Sequence, residues 1–167
     1  PALSSAASDV YKRQDIYYMN INYFMKEAIK EANCAFNSNE VPVGGVLVDI
    51  KTKEIIYRSH NKMNKEKNAM HHCEIDLIMH SCKSLSRKYL HDTVMFVTLE
   101  PCLMCASAIS EVHIDKLYFG AYDNKNGGIE NFKFQAKREH SFKTEIYGGI
   151  MENDCKVLID NFFKKMR

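Results

Sequence analysis

The chain lacks any apolar run approaching the roughly 18 residues needed to cross a bilayer, so no membrane span is expected. Residues 1–14 are small and polar and lack the apolar segment of a secretory signal. An initial methionine is also missing, and residues 1–18 are expected to be a non-native or disordered extension, with Met19 the native first residue. Strong charge is absent too: a net +2 is too little by itself to argue nucleic-acid binding. No internal repeat and no linker interrupts residues 19–167, which read as a single domain long enough for a sizeable core. Without a signal, the 6 cysteines do not read as a disulfide framework. They point instead to a reducing, intracellular setting, cytoplasmic and/or nuclear, with Cys34, Cys82 and Cys155 as buried small hydrophobes.

What is present is an alternation of elements. Ile21, Phe24, Met25, Ala28, Ile29 and Ala32 recur at helical spacing, which predicts an amphipathic helix ending near Phe36. Residues 45–50 and 54–59 predict a hairpin turning at Lys51-Thr52-Lys53. A polar loop from 61 to 70 leads to a second helix from near His72 to about Ser84. Residues 93–98 read as a buried strand. A third helix is expected from Pro101 to Glu111, since proline's missing N–H costs nothing in a first turn. Strands at 116–120 and, more weakly, 143–147 precede a last helix at 151–165, striped by Cys155, Leu158, Ile159, Phe162, Phe163 and Met166. This order predicts an α/β sandwich, with helices covering both faces of a mixed sheet.

Two strings carry chemistry. His72-Cys73-Glu74 is followed, after a gap of 26 residues, by Pro101-Cys102-Leu103-Met104-Cys105. With 3 prolines and 6 cysteines in 167 residues, chance supplies only about 0.004 copies of Pro-Cys-x-x-Cys. His72, Cys102 and Cys105 offer three ligands for a tetrahedral Zn2+, which leaves one position for water, as in catalytic rather than closed structural sites. A fourth ligand from Cys73 or His71 would make the site structural. Cys102 and Cys105 share one side of a first helical turn, where free N–H groups and the helix dipole favour thiolates. His72 and Glu74, two apart, converge only at a helix start, where the first residue is not yet helical. Zinc brings the pKa of its water to about 7, and Glu74 can shuttle protons to a ring nitrogen and a departing ammonia. The chemistry implied is hydrolytic deamination of an amidine-like ring carbon. Lysines cluster at 62, 65 and 67, at 133, 137 and Arg138, and at 164, 165 and Arg167; each cluster also reads as a solvated face.

The strings match the His-x-Glu…Pro-Cys-x-x-Cys signature of zinc nucleobase deaminases. From Met19 to Arg167 the chain resembles the adenosine deaminases that act on the wobble base of tRNA. Glu40-Val41-Pro42-Val43-Gly44 is similar to that family's pocket segment. Asn61 to Asn64, Lys67-Asn68-Ala69 and His72-x-Glu74 resemble the catalytic subunit of the eukaryotic heterodimer. Thr98-Leu99-Glu100-Pro101-Cys102-x-Met104-Cys105-Ala106, Phe119-Gly120-Ala121-x-Asp123-x-Lys125 and the tail from Gly149 resemble the bacterial homodimer.

The resemblance implies a three-layer, cytidine-deaminase-like α/β/α sandwich with about five strands. It implies one Zn2+ per subunit on His72, Cys102 and Cys105, with Glu74 as proton shuttle. Asn61 would hydrogen-bond the purine, Val43 and Leu99 would shape the pocket wall, and Asp123 and Phe163 would line the anticodon-loop channel. The partners implied are the tRNA anticodon arm and a second deaminase-fold subunit, identical or related. Read without the resemblance, Asn61 is a loop residue satisfying its own backbone, and Asp123 a turn residue before Gly127-Gly128. Val43, Leu99 and Phe163 are then core packing. The zinc strings also suit deaminases of cytosine, deoxycytidylate or guanine, or a silent zinc-stabilised partner subunit. Cys73 departs from the pattern, standing where the family usually has alanine.

Overall fold

The computed structural model describes residues 19–130 and 143–166. The extension at 1–18, Lys133, Lys137, Arg138 and Arg167 lie outside the described residues. In chain order the elements are α1 (Ile21–Asn37), β1 (Gly44–Asp49), β2 (Ile55–His60), α2 (Cys73–Leu85), β3 (Thr93–Leu99), α3 (Leu103–Glu111), β4 (Lys116–Ala121), β5 (Glu145–Tyr147) and α4 (Glu152–Lys165). The five strands form one mixed sheet in the order β2-β1-β3-β4-β5. β1 pairs antiparallel with both β2 and β3, whereas β3, β4 and β5 run parallel.

Alternation along the central strands sends side chains to opposite faces. Val46, Val48, Val94, Phe96 and Tyr118 face Phe24, Met25 and Ala28 of α1 and Cys155 of α4. Leu47, Met95, Val97, Leu117 and Phe119 face Leu77 and Ile78 of α2 and Ile109 of α3. Two cores on one sheet make the expected α/β/α sandwich. α1 lies so close to β1 that a Cβ on Gly44 would stand 2.1 Å from the Ala32 backbone nitrogen, so only glycine fits there.

Several expectations shift in detail. The third helix begins at Leu103, not Pro101, because Cys102 stays extended at φ −67° and ψ 170° as its N-cap. The Gly128 N–H holds the Pro101 carbonyl at 2.8 Å, and Cys102 bridges to Gly127, which ties this backbone into a strand-like path. β5 is only three residues long. Cys155 is buried, but Cys34 is exposed and Cys82 half-buried. Cys34 falls off the stripe of Phe24, Ala28, Ala32 and Ala35 that α1 turns to the core.

Candidate metal centre and the loops around it

α2 and α3 begin next to each other on one face of the sheet. His72 is the N-cap of α2 and Cys102 that of α3, both in extended conformation, and Cys105 sits within the first turn of α3. His72 Nδ1 lies 3.7 Å from Cys102 Sγ and 3.5 Å from Cys105 Sγ. Among the described residues this is the one group of three or more potential ligands whose donor atoms lie within 4.8 Å of one another. Nitrogen at about 2.05 Å and sulfur at about 2.3 Å from a tetrahedral ion stand about 3.6 Å apart, so the set fits zinc as it stands. Neither Cys73 nor His71 joins it. The Cys73 thiol is fully buried and donates instead to the Ser59 carbonyl at 3.2 Å.

Electrostatics follow the same lines. Hydrogen bonding from Cys105, opposed by burial and aided by His72, holds the Cys102 thiol down at about 4. Its bond to Cys102, with burial, pushes the Cys105 thiol far up. The same Cys102 thiolate raises His72 against the effect of burial. Glu74, buried beside the set, has its carboxyl pushed up to about 6, chiefly because burial strips water from the charged form.

Asn61 is buried, and its Oδ1 accepts from the Cys73 N–H at 2.9 Å, while its own N–H donates to the Val43 carbonyl at 3.0 Å. Its oxygen therefore serves a residue 12 positions on rather than its own backbone, and the amide NH2 is the donor end left to offer. Val43 is buried with Leu47, Cys73 and Leu77, and Leu99 is half-buried at the end of β3. Asp123 makes a turn: its Oδ1 accepts from the N–H groups of Lys125 and Asn126, and its carbonyl from that of Gly127. Phe163 is 49% exposed, edge-on to Phe162 at 5.5 Å, so it is not a core residue.

Two buried carboxylates escaped the sequence reading as parts of the site. Glu40 accepts from the backbone N–H groups of Asn64 at 3.1 Å and Lys65 at 2.8 Å, which fixes the loop leading to His72. Glu100 accepts from those of Asp123 at 3.0 Å, Ile129 at 3.1 Å and Glu130 at 2.9 Å, which fixes the loop after β4 against Cys102. A Cβ on Gly127 would lie 2.4 Å from the Glu100 carboxyl carbon, so the loop can approach only there as glycine. The one signal available was position: Glu40 opens the pocket segment and Glu100 precedes the Pro-Cys string.

Residues 19–121 match the family model of the cytidine and deoxycytidylate deaminase zinc-binding region. Over 144 residues the chain is 43% identical to the tRNA-specific adenosine deaminase of Rickettsia bellii, covering 86% of this chain and 99% of that protein. It is 39% identical over 146 residues to the tRNA-specific adenosine deaminase of Bacillus subtilis, covering 86% and 89%. A solved structure from a study of A-to-I editing by tRNA:A34 deaminases at the wobble position superposes with a TM-score of 0.78 at 36% identity. That alignment covers 81% of this chain and 98% of that one. With the ligand set, the buried glutamate and the sandwich already in place, these likenesses agree: the chain belongs to the zinc-binding cytidine and deoxycytidylate deaminase family, among its tRNA-specific adenosine deaminases.

Proposed function

We propose that this protein deaminates adenosine to inosine at the wobble position of tRNA anticodons by zinc-dependent hydrolysis. The observation that carries the reading is the gathering of His72, Cys102 and Cys105 beside the buried Glu74, in a chain so similar to tRNA-specific adenosine deaminases. Zinc held by those three residues would keep one tetrahedral position for water and bring its pKa to about 7. Glu74 takes a proton at its carboxylate and gives it to the ring nitrogen beside the attacked carbon. It then takes the remaining proton from the added water oxygen as the carbonyl forms and delivers it to the departing amino group, so that adenosine and water become inosine and ammonia. A carboxyl raised by burial is suited to both directions of transfer.

Asn61 offers its NH2 to an acceptor on the purine, and Val43 and Leu99 wall the pocket. Asp123 shapes the turn beside the entrance, and exposed Phe163 presents a ring on which an anticodon base can stack. Exposed Lys65 and Lys67 supply positive charge on the loop before His72, whereas Lys62 is ion-paired with Asp76. A wobble base is already unpaired, so splaying it into the pocket costs little. Met70, Met79 and Leu103 are exposed apolar side chains just before α2, on α2 and on α3, and the side they occupy is where a second deaminase-fold subunit, identical or related, can seat. No helix among the described residues is long and apolar enough to cross a membrane. An enzyme that modifies tRNA works inside the cell.

The test is nucleoside analysis of bulk tRNA incubated with zinc-loaded protein. Wild type is expected to produce inosine, and Glu74→Ala to keep its zinc while losing at least about 100-fold in rate. Unchanged inosine formation by Glu74→Ala would refute the proton shuttle. No inosine from wild type, with turnover of cytosine, deoxycytidylate or guanine, would assign the site to a free base or nucleotide.

A further inference from the structure

Asp76 stands one turn beyond His72 on α2 and is buried, and the reaction above gives it no step. Its N–H closes the first helical hydrogen bond onto the His72 carbonyl at 3.1 Å. Its carboxylate reaches across to the end of β2. Oδ2 accepts from the Ser59 hydroxyl at 2.5 Å and from the Lys62 ammonium at 2.8 Å. Oδ1 lies 3.2 Å from His80 Nδ1, which also stands 3.0 Å from the Asp76 carbonyl. The His80 ring in turn lies flat on Tyr57, centroids 4.6 Å apart.

Ser59 and Lys62 bracket Asn61. A single carboxylate oxygen thus holds both flanks of the residue that offers its amide to the base. Two further bonds run in parallel with it: the Cys73 N–H to Asn61 Oδ1, and the Cys73 thiol to the Ser59 carbonyl. All of them join the 59–62 segment to the first turn of α2, the turn that carries Glu74. Exposed ion pairs contribute little, but this carboxylate is desolvated and its bonds are charge-assisted. Burial disfavours its ionised form, yet the bonds from Lys62 and Ser59 prevail and hold the carboxyl below its usual range.

The geometry points to Asp76 as a positioning residue that sets where Asn61 stands relative to Glu74, and so governs substrate affinity more than the chemical step. The inference rests on the reading of the site as a tRNA adenosine deaminase. It is tested by steady-state kinetics of the zinc-loaded protein on an anticodon stem-loop RNA with adenosine at the wobble position. Asp76→Ala is expected to raise KM about tenfold, the equivalent of one charge-assisted hydrogen bond, while kcat stays within about threefold and zinc is retained. Ser59→Ala, which removes one uncharged donor, is expected to raise KM about threefold, and Asp76→Asn, which keeps an acceptor oxygen, to fall between the two.

A purely structural role would lower the folded, active fraction. Apparent kcat would then drop at unchanged KM, and that result overturns the inference. Should Asp76→Ala not fold, Ser59→Ala decides: an unchanged KM there overturns it equally. A wild type that makes no inosine fails the functional reading and takes this inference with it, whereas an active wild type with KM-neutral variants overturns this inference alone.

Discussion

Replacing Glu100 with glutamine keeps the shape of a buried side chain and removes one charge and one acceptor. In the native protein Oε1 accepts from the N–H groups of Ile129 and Glu130, and Oε2 from that of Asp123. The least costly pose of the amide keeps its oxygen on Ile129 and Glu130 and turns its NH2 toward Asp123, donor against donor. The orphaned Asp123 N–H costs about 1–3 kcal/mol. The other two bonds lose charge assistance, about 0.5 kcal/mol each. The sum is about 2–4 kcal/mol, which for a protein of this size lowers Tm by roughly 10 °C. The assay is a thermal melt of the zinc-loaded protein followed by far-UV circular dichroism, with bound zinc measured alongside. Zinc should be held more weakly as well, because the loosened loop carries Gly127, the bridge partner of Cys102. A Tm within about 2 °C of wild type, with zinc held as tightly, would refute the claim that Glu100 clamps this loop.

Two other outcomes are expected. Cys73→Ala keeps one zinc per chain and its turnover while losing about 1–2 kcal/mol of stability, since it removes a buried thiol that packs toward Gly45 and donates to the Ser59 carbonyl but holds no metal; a zinc-free variant would mean that Cys73 is a ligand. On α1, hydrogen bonding from Lys30 and, against burial, from Arg58 holds the Glu27 carboxyl below its ordinary value of 4.5. The stabilisation it gives is complete above that value and is lost as pH falls through the lower folded one, so Glu27→Gln should flatten the acid limb of stability in urea melts below its ordinary value. Parallel acid limbs for variant and wild type would contradict this.

The metal strings are readable because each pair of functional residues lies within one turn of chain. Spacing alone puts Cys102 and Cys105 together, and only a helix start reconciles His72 with Glu74. The unbroken apolar run from Val94 to Val97 likewise marks a strand with two buried faces. What sequence reading misses depends on distant partners. Pro101 suits a first helical turn, yet Gly127 and Gly128 hold Pro101 and Cys102 extended, and nothing near residue 101 announces that. Glu40 and Glu100 bond to main-chain amides 23 to 30 residues away, which leave no mark in side-chain chemistry. The order of the strands, antiparallel on one side of β3 and parallel on the other, has no periodic signal and is read only from the fold. Cys34 shows the reverse error: an apolar residue type in an apolar helix, but out of phase with its buried stripe.

Because Glu40 and Glu100 grip backbone N–H groups rather than side chains, their hold on the two loops is blind to residue type. Any residue but proline supplies the donor. The exposed side chains of Lys65 and Glu130 can therefore drift under selection for different RNA partners while the loop paths stay put. Such a division separates a scaffold that must be inherited from a rim that is free to diversify. It gives a physical route by which one deaminase framework can acquire new substrate preferences without first risking its fold.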